Sequence, residues 1–189
     1  MYRLTPAHQQ ILATISELAD RDIAPHAAGV DRDSTFVGDS IAALARHGFL
    51  GLTVPAELGG MGQGPVIAAA AVEAVAQRCA STAMVFLMHL CGIACYAAAG
   101  DKMRGPLRNA AAGAHLATLA FSEPGSRSHF WAPVSQAADS GEHVRLTARK
   151  SFVTSAGHAE AMSRRLLKFS GGSVDDYATF STSTASPSC

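Results

Sequence analysis

The stretch Ala80–Gly100, ASTAMVFLMHLCGIACYAAAG, carries no charged side chain. A segment of this length and character has two homes, a bilayer or the middle of a protein core. It lacks the Lys/Arg flanks and aromatic belts of a span, is rich in Ala, Gly, Ser and Thr, and has His89 near its centre. It therefore reads as a central helix buried on all sides, capped at its start by Ser81 or Thr82. Everything else in the chain must be arranged to cover it.

The preceding sequence supplies that cover. Thr5 is placed to cap a helix with Pro6 in its first turn, and Ile11, Leu12, Ile15, Leu18 and Ala19 recur at helical spacing up to a stop expected near Pro25. DSIAALARHGFLG predicts a short helix with Ile41, Leu44 and Ala45 on one face and Gly48 as its end. GLTVPAELGGMGQGP is too rich in Gly for a regular element and reads as a structured loop. A further helix is expected from Pro65, with Glu73, Gln77 and Arg78 on its wet side, and a Pro-interrupted one over DKMRGPLRNAAAG.

Near residue 114 the period changes. HLATLAF and APVSQAA are short and extended, and HVRLTARKSFVT alternates Val144, Leu146 and Ala148 against Arg145, Thr147 and Arg149, a run of antiparallel strands. Beyond Ala159 the pattern fails and Ser and Thr dominate. The expected organisation is a helical domain over 1–113, an incomplete β domain over 114–158 and a divergent, disordered tail over 159–189. The fold class is mainly α with a partial β domain.

Function classes narrow on charge and motif. Fifteen Lys/Arg balance fifteen Asp/Glu, so no field exists to hold nucleic acid. The N-terminus has no secretory pattern, which sets a cytoplasmic location as the expectation. His89, Cys91 and Cys95 lie close in sequence, but with no CxxC pair or second cluster they read as core residues, not metal ligands. Ser122, Ser126, Ser128 and His129 have no nucleophile elbow around them, and Glu123 before Pro124 reads as a solvated turn acid. GGMGQG lacks the strand that a dinucleotide-binding loop requires.

Three stretches in order carry a sharper signal. GFLGLTVPAELGGMG, LAFSEPGSRS and LTARKSFVTSAGHA resemble, respectively, the glycine-rich helical connection, the Thr/Ser-Glu-Pro turn and the Lys-x-Trp/Phe-Ile/Val-Thr strand of the acyl-CoA dehydrogenase flavoproteins. The likeness runs from Thr5 to His158. It implies a helical N-terminal domain, a β-barrel-like middle domain and a C-terminal four-helix domain, with FAD as cofactor and an acyl-CoA thioester as substrate. It also suggests a homo-oligomer, of whose interface this chain lacks most. Residue by residue, it puts Phe121, Ser122, Phe152 and Thr154 at the flavin, and Ser128 and Arg127 at the substrate entrance.

The departures are His129 where the family has Asp, and Ser126 and Arg127 where a small residue and Gly are commoner. After His158 the family's later strands and C-terminal helices, which carry the catalytic Glu, have no counterpart. The expectation is a truncated chain, inactive alone, with no residue assignable as the base. A flavin monooxygenase of the same fold and a non-catalytic partner subunit are the alternatives.

Overall fold

The computed structural model describes residues 4–126, 134–139, 144–146, 148–159, 161–164, 167–168 and 178–181. Its first helix, α1 (Pro6–Leu18), begins as the sequence predicts, on a reciprocal cap in which Thr5 Oγ1 accepts the His8 N–H and His8 Nδ1 accepts the Thr5 N–H. The helical path then continues past the expected stop. Ala19–Ile23 forms a π-helical turn, and α2 runs from Ala24 to Asp33 with Pro25 in its first turn. In an unbroken α-helix the Pro25 ring would meet the carbonyl of Arg21. The wider turn, marked by the Ala24 N–H donating to Ala19 O, absorbs the proline without breaking the path.

Helix α3 (Gly38–Arg46) buries Ile41 and Leu44 and ends at Gly48, whose φ of 75° is left-handed. The glycine-rich connection that follows is ordered by main-chain bonds from Met61 to Gly51, Gly62 to Val54 and Gln63 to Leu52. Its tightest point is Gly60, where a Cβ would stand 2.1 Å from Val54 O. Helix α4 (Pro65–Ala76) starts at the expected proline.

The uncharged stretch forms α5 (Ala80–Ala98). Its cap is Cys79, whose Sγ accepts the Thr82 N–H at 3.4 Å, so Ser81 and Thr82 lie inside the first turn and not before it. Nor is α5 buried all round: Phe86, His89, Ile93 and Tyr96 are fully enclosed, while Met84 is 51% and Leu87 36% exposed. By length and apolarity alone α5 could cross a bilayer, and half of that stretch is buried within the protein. Helix α6 (Arg104–Ala111) closes the helical layer against Gly51, where a Cβ would come within 2.8 Å of Ala111 Cα.

The described strands make two small sheets. In one, β1 (Ala117–Ala120) pairs in parallel with β4 (Ala161–Arg164), which pairs antiparallel with β6 (Ala178–Ser181). In the other, β2 (Gln136–Asp139) lies between antiparallel β3 (Val144–Leu146) and parallel β5 (Leu167–Lys168). The pairing is mixed where antiparallel strands were expected. The alternation predicted to run through Thr154 also stops at Leu146 as a strand. Farther on, Phe152 (φ 53°) and Ser155 (φ 62°) are left-handed, so the regular alternating strand expected there is not formed.

Strand β1 is docked on α5 at close range. Gly92 faces it, with room for no side chain, since a Cβ there would lie 2.8 Å from Ala117 Cβ. His89 adds a polar tie: Nε2 donates to Leu50 O at 2.7 Å and Nδ1 accepts the Ala117 N–H at 3.1 Å. Both ring nitrogens are thereby used, in a core where an unpaired polar group is costly. Farther along, the His158 ring stacks on Phe36 with centroids 3.7 Å apart, joining the end of the third motif to the start of α3.

Candidate functional site

The two later motifs meet at the exit of β1. Glu123-Pro124-Gly125-Ser126 is a tight turn with Pro second and Gly third, Gly125 at φ 93°, closed by the Ser126 N–H donating to Glu123 O at 3.1 Å. The Ser126 hydroxyl donates to the same carbonyl at 2.9 Å. Opposite, the Ser151 N–H donates to Ser122 O at 2.9 Å, and the Thr118 hydroxyl donates to Thr154 O at 2.6 Å. These bonds hold the Ser122 turn and the Phe152 segment side by side.

Between them lies a cleft of about 320 Å³ lined by Ser122, Glu123, Pro124, Gly125, Ser126, Ser151 and Phe152. That is the lower end of the size range of small-molecule sites. Phe152 stands 95% exposed on a left-handed backbone, a conformation costing an aromatic residue about 1–2 kcal/mol. Phe152 is thus a solvent-facing aromatic on the cleft wall and not a strand-core residue.

Of the residues expected at the site, Ser122 and Phe152 share this cleft. Phe121 precedes it in the chain, half-buried, and Thr154 follows it, tied through its carbonyl to β1. Arg127 and Ser128 lie outside the described residues, as does His129.

Glu123 differs from expectation. It is buried, not solvated: Oε2 accepts the N–H groups of Val134 and Ser135 at 2.5 and 2.8 Å, and Oε1 accepts the Lys150 ammonium at 2.5 Å. Burial pushes its carboxyl up, but the Lys150 ammonium together with those N–H groups outweighs burial and holds it below the usual carboxylate range. Sequence reasoning missed this pair. Its only trace was Lys150 standing in the third motif opposite a glutamate in the second.

A second, larger concavity of about 490 Å³ runs between α4 and α5, lined mainly by Ala68, Ala69, Val72, Leu87, Leu90, Cys91 and Ala94. It shares no lining residue with the Ser122 cleft. Burial there raises the Cys91 thiol above its usual range. The many alanines of α4 and α5 were its sequence signature, since small side chains leave a groove where two helices pack.

The residues 5–103 match the family model of the acyl-CoA dehydrogenase N-terminal domain. The chain belongs to the acyl-CoA dehydrogenase family. Among its relatives is the probable acyl-CoA dehydrogenase fadE25 of Mycobacterium leprae, 31% identical over 83% of this chain and 41% of that protein. The human mitochondrial short-chain specific acyl-CoA dehydrogenase is 28% identical over 84% of this chain and 39% of its own length. The chain thus spans about two fifths of the curated relatives it matches. Among solved structures, KijD3 in complex with FMN and dTDP-3-amino-2,3,6-trideoxy-4-keto-3-methyl-D-glucose superposes with a TM-score of 0.77 at 27% identity, covering 96% of this chain and 46% of that one. The described residues are mostly helical with few strands, built on an acyl-CoA dehydrogenase N-terminal domain.

Proposed function

We propose that the chain forms the helical and first β portion of an FAD-dependent oxidoreductase acting on the CH–CH bond of an acyl-CoA thioester. When bound, FAD would supply the hydride acceptor for such a dehydrogenation. The observation that carries the proposal is the convergence of two family motifs on one cleft through the Ser151–Ser122 main-chain bond. The residues fit the group: Ser122 offers a hydroxyl to a heteroaromatic edge, and Phe152 offers an exposed ring to stack. By the family resemblance Phe121 and Thr154 belong to the flavin side, and Arg127 and Ser128, outside the described residues, are assigned to the substrate entrance.

The chain does not turn over alone on this reading. Glu123, the one carboxylate among the described residues lining the cleft, is committed to Lys150 and two main-chain amides, which makes it a poor proton acceptor. On this reading the helical domain comprises 1–113 and the incomplete β-barrel-like middle domain 114–158, while 159–189 is a divergent segment whose β4, β5 and β6 add to the two sheets. A cytoplasmic homo-oligomer is the setting proposed for it.

A second reading, flavin chemistry on a molecule other than a CoA thioester, is favoured by the KijD3 complex, which holds FMN and a sugar nucleotide. Visible-absorbance titration separates the two. Uptake of FAD into a band that shifts on adding an acyl-CoA supports the first; flavin uptake with no thioester response supports the second. A protein that takes up no flavin leaves only the role of a non-catalytic partner.

A further inference from the structure

The walls of the Ser122 cleft are braced by a pair that flavin contact alone does not require. The side chains of Glu123 and Lys150 are 2% and 7% exposed and meet at 2.5 Å. The second carboxylate oxygen gathers the N–H groups of Val134 and Ser135, so one side chain ties three segments together. The brace sits beside the main-chain bond: Ser151 donates to Ser122, and the next pair out is Lys150 with Glu123.

Phe152 shows why such bracing is needed. Its left-handed backbone persists only if its surroundings hold it there, and a ring 95% exposed has little packing of its own to do so. The anchors lie immediately before it, at Ser151 and Lys150. For stability alone an apolar pair of similar volume would serve as well as a buried ion pair, and often better. What the charged, multiply hydrogen-bonded pair adds is a fixed direction and spacing.

We infer that Glu123 and Lys150 are positioning residues of the cleft, setting the separation of the Ser122 hydroxyl and the Phe152 ring so that a planar heteroaromatic ring enters between them. The inference rests on the flavin reading of the cleft given above. Glu123 lines the cleft, but its carboxylate oxygens are taken up by Lys150 and the two main-chain amides, so the pair acts through the wall it fixes.

The test uses the full chain and the variants Glu123→Gln, Lys150→Met and the neutral double Glu123→Gln/Lys150→Met. Three quantities are measured: melting temperature, FAD affinity by quenching of flavin fluorescence, and hydrogen exchange at the Ser151 amide. Each single variant should weaken FAD at least tenfold and speed Ser151 exchange. The double variant, freed of a lone buried charge, should regain the parent's melting temperature while FAD stays at least tenfold weaker. Recovery of FAD affinity together with melting temperature in the double variant overturns the inference, because the pair then contributes stability only. Parent-like FAD affinity in folded single variants overturns it as well. If the parent itself takes up no FAD, the flavin reading falls, and Ser151 exchange decides separately: exchange unchanged in the variants removes the bracing role, and faster exchange retains it.

Discussion

His89 Nδ1 accepts the main-chain N–H of Ala117 at 3.1 Å, and the same ring donates from Nε2 to Leu50 O. One imidazole thereby joins the middle of α5, the start of the connection that follows α3 and the head of β1, the strand that leads into Ser122. Removing it leaves a buried N–H and a buried C=O without partners. His89→Leu should cost about 2–4 kcal/mol, a fall in melting temperature of roughly 5–15 °C. His89→Gln, which keeps a donor and an acceptor, should lose less than half of that. Thermal unfolding followed by circular dichroism checks both; equal melting of the Leu variant and the parent would show the tie to be idle.

Acid should act through the same ring. Burial lowers the His89 pKa from its usual 6.5 to about 4, with the Leu50 carbonyl opposing and His115 adding to the shift. Below pH 6.5 the unfolded chain takes up a proton that the folded chain refuses until about pH 4. Stability contributed by the neutral ring is complete above 6.5 and falls as pH drops through that window, by up to ~3 kcal/mol. Urea unfolding at a series of pH values should show this slope in the parent and its absence in His89→Gln. Parallel curves for the two proteins would contradict it.

Glycines divide by what surrounds them. Gly60→Ala drives a Cβ to within 2.1 Å of Val54 O, and Gly92→Ala presses on Ala117 Cβ at 2.8 Å. Each should destabilise by about 1–3 kcal/mol or more. Gly64→Ala meets nothing within 4 Å, at a φ of −82° that any residue adopts. It should be neutral, or stabilising by up to ~1 kcal/mol through the unfolded chain. Melting temperatures of the three variants decide, and loss of stability in Gly64→Ala comparable to Gly60→Ala would be the contrary result.

The elements set by local chemistry were legible in the sequence. The Thr5 cap, the Gly48 stop, the Pro65 start and the irregular glycine-rich loop each follow from one or two residues acting on their own backbone. What escaped was decided by tertiary surroundings. Pro25 marks a stop by rule, yet a π-helical turn lets burial of Ile23 prevail over the proline's clash. The alternation through Arg149 promised a strand, but left-handed residues at Phe152 and Ser155 turn that segment into the wall of a cleft. Glu123 looked like an exposed turn acid because its partners, Val134, Ser135 and Lys150, lie eleven or more residues away. Ser122 and Phe152 were named from motif resemblance, and their shared cleft needed the fold.

The most direct measurement is equilibrium binding of FAD to the purified chain, read by flavin fluorescence, for the parent, Phe152→Ala and Ser122→Ala. Saturable binding by the parent is expected, weakened about 10-fold or more without the Phe152 ring, equivalent to at least ~1.4 kcal/mol, and by a smaller factor without the Ser122 hydroxyl. Binding equal in all three folded proteins, or none by the parent, would contradict the assignment of this cleft to the flavin.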